Sequence, residues 1–234
     1  MKRHQEGRDA VLRVEVTEPP KKRRGPRKGM AAEKTRADLL RAAGEAMIDK
    51  GSVDISLADV GQRTGLSAPL IQYHFGSKEG LLLALIERDA AQAVGMMEEL
   101  AAMPLPPDRK MRMHIEGFVK SFFRAPYLNL LLHVHMQGSG EAVANRVSDV
   151  FVKPIVEFQR QVLSDGVAQG IFRPVEPMYF YFIIVGACEH MFARRGALRQ
   201  VFGIESISDD VRAGYSQAIL DTVFKGILID RDPQ

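Results

Sequence analysis

The chain has 234 residues, a net charge of only +3 and a single cysteine, Cys188. One cysteine excludes an intrachain disulfide and fits a reducing, cytoplasmic setting. The longest apolar run, Met178–Cys188, is far short of the roughly 20 residues that span a bilayer.

The charge is unevenly placed. Residues 1–30 hold ten Lys or Arg against four acids, a net of +6, so the rest of the chain carries −3. Residues 1–32 therefore read as a disordered basic arm without a secretory signal, in which Pro19, Pro20, Gly25, Pro26 and Gly29 break any helix. Met30 offers an alternative start. A basic arm ahead of a near-neutral body points to a polyanionic partner.

From Thr35 to Lys50 the spacing predicts a helix, with Leu39, Leu40, Ala43, Met47 and Ile48 on one face and Gly51 ending it. Residues 56–75 then read as two short helices joined by a tight turn. Ser56 caps the first, Gly65 supplies the positive φ of the turn, Ser67 caps the second, and Pro69 fits its first turn. Leu57, Val60, Leu66, Leu70, Ile71 and Phe75 supply the contacts that fix their angle. Ala68, Gln72, Tyr73 and His74 are left to face outward, as in a DNA-reading helix-turn-helix.

Ser77 caps a long helix from Lys78 to about Ala102, stopped by Met103–Pro107. Further helices follow at Asp108–Arg124, Pro126–Met136, Glu141–Ala168, Pro177 to about Arg195, and Ser208 to about Ile229. Pro154 should kink the 141–168 helix, because it removes one backbone bond. Nothing alternates as a strand would, so the fold class is all-α.

Residues 33–93 resemble the N-terminal domain of TetR-family transcriptional regulators. The resemblance rests on Thr35-Arg36, Leu39-Leu40-Arg41-Ala42-Ala43, Lys50-Gly51, Ser56-Leu57-Ala58-Asp59-Val60, Gly65-Leu66-Ser67, Tyr73-His74-Phe75, Ser77-Lys78-Glu79 and Leu81-Leu82. Pro69 stands where the family often has Gly, and Gln72 where it often has Tyr, so these two positions bear on which bases are read. The resemblance implies three parts: the arm (1–32), a helix-turn-helix domain (33–93) and a helical ligand-binding and dimerisation domain (94–234).

Candidate base readers are Ala68, Pro69, Gln72 and Tyr73; Gln pairs with adenine, and Ala or Pro touches a thymine methyl. Tyr73 and His74 either reach phosphates or partly pack; further phosphate candidates are Lys78, at a helix N-terminus, Ser56 and Thr35, and Ser67 is a further DNA-binding candidate. Ser56 and Thr35 have capping without DNA contact as a competing role. Arg27 and Lys28, with the rest of Lys21–Lys28, either enter the minor groove or add non-specific attraction. For an effector pocket the candidates are Phe118, Phe122, Tyr127, His133, Met136, Phe158, Tyr179 and Phe182, set against plain core packing. For a dimer interface they are Gly186, Val211, Tyr215, Ala218, Ile219, Thr222 and Val223.

No cofactor, metal site or membrane partner is expected. His133 and His135 sit two apart on a helix and diverge, so they share no ion. The chain lacks a phosphate loop, a Gly-x-Ser-x-Gly elbow and metal ligands at i, i+4. The reading is a homodimeric regulator, a repressor released from a palindromic duplex-DNA operator by a small apolar or amphipathic effector. Two alternatives stand beside it: a ligand-free nucleoid-type DNA binder driven by the arm, and an enzyme using His133, His135 or Cys188.

Overall fold

The structure, a computed structural model, describes the backbone of residues 26–138, 140–193 and 195–228; side chains at 26–29, 136–138, 193, 195 and 196 lie outside the description. Among the described residues the chain forms eleven α-helices and no strand. They are α1 (Pro26–Lys50), α2 (Leu57–Thr64), α3 (Ala68–Phe75), α4 (Lys78–Ala102), α5 (Pro107–Arg124), α6 (Tyr127–Gly138), α7 (Glu141–Val147), α8 (Lys153–Ala168), α9 (Pro177–Ala193), α10 (Arg195–Phe202) and α11 (Asp209–Ile227).

Pro26, expected to break a helix, instead begins one. Proline is tolerated there because the first N–H groups of a helix have no internal acceptor. Residues 26–32 of the arm expected to be disordered are thus helical, and residues 1–25 lie outside the described residues. The expected face of α1 is buried at Leu39, Leu40, Ala43 and Met47, but Ile48 is largely exposed.

α5 is the central post of the larger, C-terminal part: α4, α6, α8, α9 and α11 all pack on it. Met111, Ile115 and Val119 are completely buried on that post. α4 is the shared element, with α3 against it at one end and α5, α6, α7 and α8 along its length.

The kink expected at Pro154 takes the form of a π-helical turn, Ser148–Val152, between α7 and α8. There the Lys153 N–H bonds to the Ser148 carbonyl, one residue further back than in an α-helix. The wider turn accommodates the missing N–H and the bulk of the proline ring. Val147, Phe151, Ile155, Phe158 and Val162 keep one buried face through it.

The 170–176 connector is pinned from beneath. The Ile171 and Phe172 N–H groups both donate to the Gly166 carbonyl, and Arg173 N–H donates to Ile227 O at 2.8 Å. Phe172 lies so tightly over α8 that a Cβ on Gly166 would come within 2.0 Å of its ring. α10 was not expected from the spacing; with α9 it leaves Phe182, Ile183, Val201 and Phe202 exposed.

Candidate DNA interface and effector cleft

The helix-turn-helix assembles from local rules. Ser56 Oγ accepts from the Asp59 N–H at 3.1 Å, while the Asp59 carboxylate accepts from the Ser56 N–H at 2.6 Å, closing a capping box. The bond from the Ser56 N–H, joined by one from Ser56 Oγ at 2.8 Å, holds the Asp59 carboxyl below its ordinary range. Gly65 takes φ +72°, where a side chain would be strained. Val60 and Ile71 are completely buried, with Leu57, Leu66 and Phe75 packed against them.

Leu70 departs from expectation. It is 39% exposed, because the core contact of α3 is made by Ile71 and Phe75 instead. α3 thus presents Pro69, Leu70, Gln72 and Tyr73 to solvent, with Tyr73 67% exposed. Ala68 and His74 are half-buried. Ser67 stands at the helix start without a side-chain capping bond. Arg36, which sequence reasoning missed, fixes α3 to α1: its guanidinium donates to the His74 carbonyl at 2.9 Å and lies 4.3 Å above the Phe75 ring.

Three phosphate candidates are already engaged within the protein. Thr35 Oγ1 donates to the Ala31 carbonyl, and Ser56 Oγ donates to Asp59. Lys78 Nζ donates to Asp54 Oδ1 at 3.0 Å. That bond and the lysine charge hold the Asp54 carboxyl below the usual carboxylate range. Arg27 and Lys28 fall outside the described side chains.

The second site is a cleft of about 780 Å³. Its walls are the C-terminal half of α4 (Met96, Met97, Leu100), α5 (His114, Phe118, Ser121, Phe122), Phe151 and Ile155, and α11 (Ser216, Leu220). The deeper lining is mostly apolar, and charged residues of both signs, Asp89, Glu99, Glu116, Lys120, Arg124 and Arg212, also line the cleft. That is the composition of a small-molecule site. A further cavity of about 730 Å³ lies beside Asp54 and Lys78, between the start of α4 and the Val134–His135 stretch of α6.

Of the expected pocket residues, Phe118 and Phe122 line the cleft. Tyr127, His133, Phe158, Tyr179 and Phe182 do not line it. Tyr127 and Phe158 are buried one layer behind it: Tyr127 donates to Asp89 Oδ2 at 2.9 Å, and Phe158 packs on His114 with ring centres 4.7 Å apart. His133 is exposed on α6 and faces away from the cleft. Tyr179 and Phe182 are 62% and 66% exposed on the outer face of α9, because Phe180 and Ile184 take its core-facing positions. The side chain of Met136 is outside the description. His114 was missed, although its spacing from Phe118 and Phe122 (i, i+4, i+8) places all three on one helix face.

The expected interface residues also divide. Gly186, Ala218 and Thr222 are exposed, and Val211 and Tyr215 are half-buried. Ile219 and Val223 turn into the protomer's own core, a correction that follows from α11 packing on α5. Tyr215 Oη donates to the Ala187 carbonyl and so ties α11 to α9. Cys188 is completely buried, and burial pushes its thiol up to about 12, the reverse of what a nucleophile needs.

A capped helix-turn-helix on a helical body that encloses an apolar cleft defines a helix-turn-helix transcriptional regulator of the all-α class. Residues 39–85 match the family described as "Bacterial regulatory proteins, tetR family", and residues 104–232 match "Tetracyclin repressor-like, C-terminal domain". The chain belongs to the TetR family of transcriptional regulators. It is 32% identical over 111 residues to the HTH-type transcriptional regulator EthR of Mycolicibacterium smegmatis, a match covering 47% of this chain and 50% of EthR. The chain therefore spans about half the length of this curated relative. FadR from Bacillus subtilis, solved in complex with stearoyl-CoA, superimposes with a TM-score of 0.64 at 17% identity, over 81% of this chain and 98% of FadR. A TetR-family regulator from Agrobacterium tumefaciens gives 0.67 at 21% identity, over 85% and 100%. No helix among the described residues is long and apolar enough to cross a membrane.

Proposed function

We propose that this protein is a homodimeric repressor that binds a palindromic operator in the cytoplasm and is released by a small apolar or amphipathic effector. The observation that carries the reading is the double duty of α4. Its N-terminal end lies directly behind the recognition helix α3, and its C-terminal half is a wall of the 780 Å³ cleft. An effector that prefers a different placement of that wall shifts the population of the DNA-competent arrangement. The stearoyl-CoA held by FadR supports an amphipathic occupant, and so do the Met- and Phe-lined interior and exposed Lys120 and Arg124.

On DNA, Pro69, Gln72 and Tyr73, with Ala68 at the helix start, read bases in the major groove. Ser67 and Lys78 reach phosphates, Lys78 by exchanging Asp54 for the backbone of the duplex. A second copy covers the outer faces of α9 and α11, where Tyr179, Phe182, Ile183, Gly186, Ala218 and Thr222 are exposed. Two-fold pairing there presents two recognition helices to successive major grooves, ~34 Å apart.

Selection of bound sequences from random duplex DNA, at near-physiological salt, tests this reading. A palindrome with half-sites about one helical turn apart is the expected result. Absence of any enriched motif would refute specific reading and leave arm-driven non-specific binding. Addition of candidate effectors to the selected duplex then tests release.

A further inference from the structure

The inner wall of the cleft carries a polar pair for which the DNA-binding reading has no use. His114 lines the cleft yet is only 3% exposed, its ring held between Phe118 at 4.9 Å and Phe158 at 4.7 Å. Completely buried Gln159, on α8, donates from Nε2 to His114 Nε2 across 3.0 Å. With Nε2 accepting, the imidazole proton sits on Nδ1. Nδ1 has no hydrogen-bond partner within the protein. Behind it, Gln159 Oε1 is the only buried side-chain nitrogen or oxygen among the described residues left without a partner.

Burying polar groups without full satisfaction costs free energy, and an apolar pair would fill the same space without that cost. Among the described residues Nδ1 is not one of the buried unpartnered atoms, so it keeps access to the cleft and is the atom of the pair that a bound molecule can reach. A neutral acceptor suits this position, since a carboxylate packed among Phe118, Phe122 and Ile155 would lose hydration. A charged group has better places at Lys120 and Arg124, roughly 9 and 15 Å further along α5 at 1.5 Å per residue.

We propose that the His114–Gln159 pair is the polar recognition element of the cleft, with His114 Nδ1 donating one hydrogen bond to a neutral oxygen, a carbonyl, ether or hydroxyl, of an otherwise apolar effector. Gln159 is the positioning residue that fixes the tautomer. The inference rests on the reading of the cleft as the effector site.

The test uses two probes of the same shape, 2-decanone and 2-methyl-1-decene, which differ only in the acceptor oxygen. Their affinities for the full chain are measured in the native protein and in His114→Phe. The ketone-to-alkene affinity ratio is expected to fall roughly tenfold in the variant, the scale of one buried hydrogen bond. In 15N-histidine-labelled protein, His114 should be protonated at Nδ1, and its Nδ1 signal should shift on addition of the ketone but not the alkene. Gln159→Leu provides the same comparison should His114→Phe fail to fold: the ratio falls, and the 15N shifts change to those of mixed tautomers. An unchanged ratio in the variants, or a His114 signal blind to the ketone, overturns the proposal while leaving the cleft as an effector site. Failure of both probes to bind the native protein overturns the effector-site reading, and this inference with it.

Discussion

Acidification from pH 7 to pH 5 should destabilise the fold through His114. Burial pushes this imidazole from 6.5 down to about 3. As the pH falls below 6.5, the unfolded chain takes up a proton on His114 that the native chain refuses until about pH 3. The unfolded state therefore binds more protons across that window, and stability declines as the pH drops through it. Those two values correspond to a loss of about 2 kcal/mol between pH 7 and pH 5, approaching roughly 5 kcal/mol below pH 3. The assay is urea unfolding at both pH values and one fixed protein concentration, because a dimer's apparent stability varies with concentration. The comparison is the double variant His114→Phe with Gln159→Leu, which removes the titrating ring without leaving the buried amide alone. Its loss between pH 7 and pH 5 should be about 2 kcal/mol smaller than the native protein's, since the other histidines and the carboxylates titrate in both. Equal losses would show that His114 is protonated, or hydrated, in the native protein.

Other perturbations separate the remaining parts. Gly166→Ala places a methyl 2.0 Å from the ring of buried Phe172, so the 170–176 connector must shift; a loss of about 3 kcal/mol in urea unfolding is expected. Asp54→Asn releases Lys78 and removes a negative charge at the DNA-binding head. Fluorescence anisotropy should show several-fold tighter operator binding and a salt slope steeper by about 1, with stability unchanged. Phe182→Asp sets a charge on the exposed face of α9, and sedimentation at micromolar concentration should show monomers in place of dimers. A variant that stayed dimeric would move the interface away from this face.

What could be read from the residues alone follows how local each cause is. Ser56, Asp59 and Gly65 act within a few residues of themselves, so the helix-turn-helix was legible at the level of single caps. Pro26 misled because the same ring that breaks a helix interior suits a helix start, and only the following residues decide which applies. α9 misled in another way. Its run Met178–Ala187 is apolar on every side, so no stripe distinguishes the face toward α5 from the outer one. Tyr179 and Phe182, candidates for a pocket on sequence alone, accordingly stand exposed on the outer face of α9. Ile219 and Val223 went astray because an apolar stripe marks a buried face without saying whether the partner is the same chain or another. The His114–Gln159 pair joins residues 45 apart in the chain, and no spacing rule reaches that far.

The cleft has two kinds of wall, and they bear on function differently. α5 and α8 carry the His114–Gln159 pair, which decides what binds. α4 carries Asp89, Met96, Met97 and Leu100, and is the wall that continues to the DNA-binding head. At the junction, Tyr127 Oη donates to Asp89 Oδ2 while Arg88 holds the other carboxylate oxygen at 2.6 Å. The same phenol leans on Gly44 of α1, where an added Cβ would lie 2.9 Å from Tyr127 Oη. Burial raises the Tyr127 pKa, so the phenol stays a donor. α1, α4 and α6 thus meet at one hydroxyl group, directly behind a residue of the cleft. A ligand equally at home in both arrangements shifts nothing, however tightly His114 holds it, and moving an equilibrium from 1:99 to 99:1 takes roughly a 10⁴-fold difference in affinity. A hydrogen bond to α5 alone is the same in both arrangements if α5 does not move. The difference must therefore come from contacts with α4, which is where an effector's apolar bulk, rather than its polar group, has its leverage.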